Sequence, residues 1–261
     1  MTHPYLDHPG PIAFAHRGGA ADGLENTVTA FRRAVDLGYR YLETDVHATS
    51  DGTLVALHDA TLDRVTDGKG AIADLPWREV RRAKVAGREP VPLFADLLEE
   101  FPGARFNIDV KAPGAIAPLV EAIRAADAWD RVCVGSFSQA RLDAVRRLAG
   151  PRLATSMGVR EVLALRLRSP FERSVPDPAR AAVPGRAVCV QVPDRSGPVA
   201  VVDRRFLRAA RHRGLQVHVW TVNDRDRMSA LLDLGVDGIM TDHIETLRAV
   251  LAERGAWPDP V

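Results

Sequence analysis

Three ionisable side chains, Glu43, Asp45 and His47, alternate with Thr44 and Val46 in the run YLETDVHATSDGTLVALHD, Tyr41 to Asp59. A strand from Tyr41 to His47 has a side-chain period of two, which puts all three on one face at its C-terminal end. Asp51-Gly52 then reads as a turn and Thr53 to Leu57 as a short returning strand, so His58 and Asp59 come back towards the carboxylates. Two carboxylates beside imidazoles are the ingredients of a metal site next to a proton-transfer group.

Asp109 and Lys111, in the run NIDVK, and His16 and Arg17, after the apolar run Ile12 to Ala15, extend the set. Glu43, Asp45 and Asp109 make a candidate oxygen-rich site for one divalent ion, Mg²⁺ or Ca²⁺, with water completing the shell. His47 keeps zinc or iron open. The plainer alternative is that two of these carboxylates pair with Arg17 or Lys111. His16 and His58 are the candidates for proton transfer, since imidazole both accepts and donates near neutral pH. Arg17 beside His16 favours the neutral, base-ready ring. Asp59 is placed either to orient an imidazole or to cap the following turn. Arg17 and Lys111 suit phosphoryl oxygens, so the set as a whole suits phosphodiester hydrolysis with one histidine as base and the other as acid. A glycosidase needs two suitably spaced carboxylates and neither the ion nor both histidines. An enolase-type site wants carboxylates on successive barrel strands, and the fourth and fifth strands offer none.

The elements that must hold these residues alternate. Strands are expected to begin near Ile12, Tyr41, Phe106, Val132, Leu153, Ala187, Leu215 and Val236, with amphipathic helices over Leu24–Leu37, Leu93–Glu100, Ile116–Ala126, Gln139–Leu148, Val159–Leu167, Arg204–His212, Arg225–Leu234 and Ile244–Arg254. Thr61 to Val91 is irregular, with one short helix from Pro76 to Arg82, and the Pro-rich stretch Phe171 to Arg186 reads as loop. Eight strands separated by helices, in a chain of 261 residues, predict an α/β fold of the eight-fold β/α (TIM) barrel type, usual at roughly 250 residues. A dinucleotide-binding sheet is disfavoured because HRGGAADG lacks the G-x-G-x-x-G spacing. In such a barrel the polar residues at strand ends all face the C-terminal mouth.

With 35 Lys and Arg against 34 Asp and Glu, no field steers a polyanion such as nucleic acid. Cys133 and Cys189 lie in valine-rich runs and are expected to be buried thiols. The absence of a signal-type leader and of any long apolar run predicts a cytoplasmic protein without a transmembrane segment. The number of subunits leaves no mark in the sequence.

The motifs HRG (His16–Gly18), ENT (Glu25–Thr27), ETDVHATSDG (Glu43–Gly52), HD (His58–Asp59), NIDVK (Asn107–Lys111), WTVN (Trp220–Asn223) and GVDGIMTD (Gly235–Asp242) together resemble the glycerophosphodiester phosphodiesterases. The resemblance spans about Ile12 to Val250. It implies a single barrel domain with a small insertion between the second and third barrel units, about Leu62 to Val91. It also implies metal-dependent hydrolysis of a small-molecule glycerophosphodiester to sn-glycerol 3-phosphate and an alcohol. Carried over by motif, His16 and His58 are the acid/base pair, Glu43, Asp45 and Asp109 the metal ligands, and Arg17 and Lys111 the phosphate contacts. The family more often has glutamate where Asp109 stands, which weakens direct ligation there. Glu25 either reaches into the site or belongs to a helix start capped by Asn26 or Thr27, while Phe137 and Trp220 either wall the substrate or complete core packing. Two other functions share the same residues: lysophospholipase D- or phospholipid phosphodiesterase-like cleavage through a cyclic phosphate, and a catalytically inactive barrel that binds phosphorylated ligands.

Overall fold

The computed structural model describes residues 3–20, 23–169 and 187–257. The expected loop Phe171 to Arg186 lies outside them. Eight of the short apolar runs pair as parallel strands: β1 (Ile12–Ala15), β2 (Tyr41–Ala48), β3 (Arg105–Val110), β4 (Val132–Gly135), β5 (Ala154–Thr155), β6 (Cys189–Pro193), β7 (Gln216–Trp220) and β8 (Gly238–Thr241). Their hydrogen-bonded order is β5-β4-β3-β2-β1-β8-β7-β6. A parallel bridge between Ser156 and Cys189 joins the two ends and closes the barrel. Two backbone bonds support that seam, Val188 N–H to the Thr155 carbonyl and Met157 N–H to the Cys189 carbonyl, each 2.9 Å. The eight-fold barrel expected from the alternation is the fold observed.

Strand alternation sorts the side chains into two cores. Outward residues such as Leu42, Val46, Phe106, Ile108 and Val134 pack with Phe31, Phe94 and Leu119 of the surrounding helices. Inward residues Phe14, Tyr41, Cys133, Ala154, Cys189 and Met240 fill the barrel itself. Its N-terminal end is plugged by the turn Pro4–Leu6, whose Tyr5 stands edge-on to Tyr41 at 5.4 Å while the Tyr41 hydroxyl donates to the Tyr5 carbonyl at 2.6 Å. Both cysteines are free and buried, as expected, with sulfurs 3.9 Å apart.

Several element ends differ from the sequence expectation, each for a local reason. The first helix spans Val28–Asp36, not Leu24–Leu37, because Asn26 takes a left-handed φ of 58° and Thr27 is the N-cap, accepting from Ala30 N–H. The last strand begins at Gly238 rather than Val236, because Val236 N–H is spent on the Leu231 carbonyl, ending the preceding helix. The insertion contains elements of two to four residues, too short to show a period: the turn Ile72–Asp74, the helix Trp77–Val80 and the antiparallel pair Lys84–Val85 with Glu89–Pro90. It nevertheless has its own apolar core of Leu62, Ile72, Val80 and Val85, packed under Val55 and Leu57. No helix among the described residues is long and apolar enough to cross a membrane.

The outer core makes a direct prediction. Phe106 is fully buried between the rings of Phe31 (6.3 Å) and Phe94 (5.9 Å). Phe106→Ala should lower the unfolding free energy by about 3–5 kcal/mol, read by urea denaturation; a loss under about 1 kcal/mol would show that the layer collapses around the cavity.

Candidate active site

On β2, Tyr41 points into the plugged end of the barrel, and Glu43, Asp45 and His47 follow on the same inner face, all buried. The parallel register sets Glu43 beside Asn107 and Asp45 beside Asp109. Lys111, one residue past β3, then reaches both carboxylates, its Nζ lying 2.9 Å from Asp45 Oδ1 and 2.7 Å from Asp109 Oδ2. After β1 the chain turns tightly through His16–Gly18, with Arg17 at φ 52° and Gly18 at φ 82°. Only glycine fits the latter, since a Cβ would stand 2.9 Å from the Phe31 nitrogen. That turn aims the Arg17 N–H at Glu43 Oε2, 3.1 Å away. The returning strand Leu54–Ala56 pairs antiparallel with the end of β2 and delivers His58, as the Asp51-Gly52 turn predicts. The result is a cavity of about 460 Å³ at the C-terminal mouth, lined by His16, Arg17, Glu43, Asp45, His58, Asp109 and Lys111 on one side and by Phe137, Met157 and Trp220 on the other.

Each lining histidine has a carboxylate on Nδ1. His16 Nδ1 lies 2.6 Å from Asp242 Oδ1, and Asn223 donates to the other oxygen of Asp242 at 2.8 Å. His58 Nδ1 lies 2.6 Å from Asp59 Oδ1. A carboxylate there keeps the proton on Nδ1 and leaves Nε2 to exchange a proton. Burial pulls the His16 pKa down, but Glu43 (Nε2 to Oε2, 3.8 Å) and Asp242 outweigh it, and the net shift is upward. This corrects the expectation that Arg17 keeps His16 neutral. Arg17 directs its guanidinium elsewhere, to Glu25 at 3.0 Å and Asp45 at 3.4 Å. His47 turns its Nε2 to the His58 carbonyl at 3.2 Å and is kept neutral mainly by burial, so it braces His58 and does not line the cavity.

The carboxylates are unequally compensated. Burial disfavours ionisation of Asp45, yet Lys111 and Arg17 hold its carboxyl below the usual range, and Asn26 also donates to it at 3.1 Å. Burial pushes Asp109 up despite Lys111. Glu43 is pushed up to about 7 by burial and by the neighbouring Asp45 charge. In donor type the three groups fit a hard divalent ion: all are oxygens facing one cavity, and Asp109 Oδ1 is buried with no partner. In arrangement Lys111 pairs with Asp45 and Asp109 and Arg17 with Asp45, which offsets part of the charge and leaves Glu43 without a lysine or arginine ion pair among the described residues. Among the described residues no three His, Cys, Asp or Glu side chains converge as a ready ion site.

Glu25 stands behind the cavity, between Arg17 and Arg64; Arg64 in turn clasps Asp59 through Nε (2.6 Å) and one terminal nitrogen (3.0 Å). Glu25 therefore pairs with the two arginines and does not line the cavity, and Thr27 is the cap. Phe137 and Trp220 meet edge to face at 5.5 Å on the opposite wall, with Lys111 Nζ 5.7 Å from the Phe137 centroid. Sequence reasoning offers Asn26 only as a helix cap and places Asn223 and Asp242 at the mouth, as polar residues at strand ends, without giving them a role. Arg64 sits in the aperiodic insertion and gives no signal.

The model of the Glycerophosphoryl diester phosphodiesterase family matches residues 16–246. The chain is 43% identical over 258 residues to "Probable glycerophosphodiester phosphodiesterase 2" of Mycobacterium tuberculosis, covering 98% of this chain and 96% of that one. It is 29% identical over 269 residues to a glycerophosphodiester phosphodiesterase of Caldanaerobacter subterraneus, covering 94% and 99%. The crystal structure of a glycerophosphodiester phosphodiesterase from Agrobacterium tumefaciens superposes with a TM-score of 0.74 at 24% identity, covering 93% of this chain and 99% of that one, a likeness of fold. By the extent of the family match and the full-length identity to its relatives, this chain belongs to the glycerophosphoryl diester phosphodiesterase family.

Proposed function

We propose that the protein hydrolyses a glycerophosphodiester to sn-glycerol 3-phosphate and an alcohol, using His16 as general acid and His58 as general base. The observation that carries the reading is the pair of carboxylate-backed imidazoles facing one cavity that also holds Arg17 and Lys111. The two imidazoles differ in what surrounds the backing carboxylate. Asp59 is neutralised by Arg64, whereas Asp242 accepts, besides His16, from the neutral side chain of Asn223, and Glu43 lies on the far side of that ring. That environment favours the His16 cation, which can donate. In this reading His58 takes a proton from water as its oxygen attacks phosphorus, and His16 protonates the departing alkoxide as the P–O bond breaks. Arg17 and Lys111 hold the phosphoryl oxygens, and Phe137 and Trp220 wall the organic part. An intact histidine pair weighs against a barrel that only binds.

The same reading includes one divalent ion, Mg²⁺ or Ca²⁺, held by Glu43, Asp45 and Asp109; such an ion neutralises charge developing on phosphoryl oxygens. Chelation should abolish turnover of glycerophosphocholine while circular dichroism stays unchanged, and added Mg²⁺ or Ca²⁺ should restore it. Full activity in thoroughly stripped protein would remove the ion from the mechanism. Glu43 makes the ion-free protein pH-sensitive. Its ordinary pKa is 4.5 and its folded value about 7. Between these pH values the folded state holds a proton that the unfolded state has lost. The contribution is thus fully present below about 4.5 and disappears as pH rises through about 7. Glu43→Gln lacks this loss, so its stability relative to the ion-free parent should rise from pH 5 to pH 8, by on the order of 3 kcal/mol. A pH-independent difference in melting temperature would contradict the assignment.

His16→Ala and His58→Ala should each slow glycerophosphocholine turnover by roughly 100-fold to 10,000-fold. With a nitrophenyl ester, whose leaving group departs without a proton, His16→Ala alone should recover. Recovery of His58→Ala instead reverses the two roles, and losses under about tenfold in both variants would exclude proton transfer by this pair.

A further inference from the structure

The mouth of the cavity carries more exposed apolar surface than a small polar ester needs. Of the seven large hydrophobic side chains exposed among the described residues, five lie directly after β4, in the helix that follows β5 or in the hairpin that follows β6: Phe137 (60%), Val159 (54%), Leu163 (57%), Leu167 (65%) and Val199 (59%). Phe137 and Val159 also line the cavity, so the patch begins at its lip. Val159, Leu163 and Leu167 recur every fourth residue in the helix Val159–Arg168 and share one face. The last turn of this helix is tied to the segment after β6. Arg166 donates to the Ala200 carbonyl at 3.4 Å and pairs with Asp203 at 2.9 Å, both in the segment after β6 that carries Val199.

The charges beside this stripe have one sign. Arg160 and Arg168 are exposed next to Val159 and Leu167 and have no ion-pair partner among the described residues. The acidic residues of the same segments are engaged, Glu161 by Arg146, Asp203 by Arg166 and Asp194 by Arg227. An exposed apolar stripe that starts at the cavity's lip and is flanked by unpaired arginines suits a surface that offers apolar depth beneath an anionic layer. A second copy packed on this face by two-fold symmetry would bring like charges together.

We propose that the rim formed by Phe137 after β4, the helix Val159–Arg168 after β5 and the hairpin with Val199 after β6 docks on an anionic lipid bilayer and opens the cavity towards phosphodiesters held in that bilayer. The docking stands on exposure and charge; the class of substrate rests on the hydrolytic reading above. The test is co-sedimentation of the full chain with vesicles of phosphatidylcholine alone and of phosphatidylcholine mixed with phosphatidylglycerol. Binding should favour the anionic vesicles by at least about tenfold and weaken with salt. Two variants, Leu163→Asp/Leu167→Asp and Arg160→Glu/Arg168→Glu, should each lower it by about tenfold or more while turnover of soluble glycerophosphocholine is unchanged. Equal binding to both vesicle types, or variants that bind like the parent, would overturn the proposal. So would a concentration-dependent dimer in sedimentation that Leu163→Asp/Leu167→Asp dissolves, since the face would then belong to a second copy. Vesicle binding as expected without turnover of the soluble ester refutes the hydrolytic reading and leaves the docking intact.

Discussion

Negative charge buried at one end of an apolar barrel is the constraint on which the site depends. Glu43, Asp45 and Asp109 lie close together in surroundings that exclude most water, and an uncompensated carboxylate there is costly. Lys111 bridges two of them and Arg17 adjoins a third direction of approach to Asp45. The compensation is incomplete at Glu43, whose raised pKa records the remaining repulsion. The same shortfall makes the cavity receptive to added positive charge, and it holds the neighbouring imidazole of His16 in its protonated direction. Electrostatic strain and chemical capacity therefore have one origin.

The barrel makes that concentration of charge possible by separating it from the hydrophobic core along each strand. Within β2, Tyr41 contributes to the plugged end while Glu43 and Asp45, two and four residues later, face the open end. The pairing of Asp45 with Asp109 across β2 and β3 fixes their proximity through backbone hydrogen bonds, so the cluster does not depend on the carboxylates attracting one another. A one-residue slip of either strand would turn its acidic residues into the apolar layer beneath the helices. Closure through Ser156 and Cys189 removes the sheet edges and keeps both walls of the cavity at a set separation.

The insertion adds a second layer of support. Its small apolar core packs against the strand that delivers His58, and its Arg64 joins Glu25 to Asp59. A chain of alternating charge thus runs from Asp45 through Arg17, Glu25 and Arg64 to Asp59 and His58. Each link is partly exposed at its Arg64 end, where screening weakens it, and more buried towards Asp45. The insertion is coupled to the site by that charge chain as well as by packing.

The strand β2, its turn at Asp51-Gly52 and the return of His58 were readable from the sequence because hydrophobic alternation and turn chemistry are local. The eight-strand count was readable for the same reason, and the motif set carried the family. Local signals also placed Lys111 and Asp109 at a strand end. They could not say whether Asp45 and Asp109 would face an ion or a lysine, since that depends on the register of β3 against β2 and on the rotamer of Lys111. Nor could they foresee Arg64, which is 39 residues from Glu25 in the chain and sits in a segment without periodicity. The protonation of His16 was misjudged from its neighbour Arg17, because adjacency in sequence said nothing of Glu43 and of Asp242, 226 residues away. The sequence by itself determined the elements, their order and the residue types delivered to the mouth, which are set by short-range sterics and hydrophobic period. Tertiary structure alone decided which charges meet and which proton stays, because Coulomb energies depend on distances and burial that only the closed barrel defines.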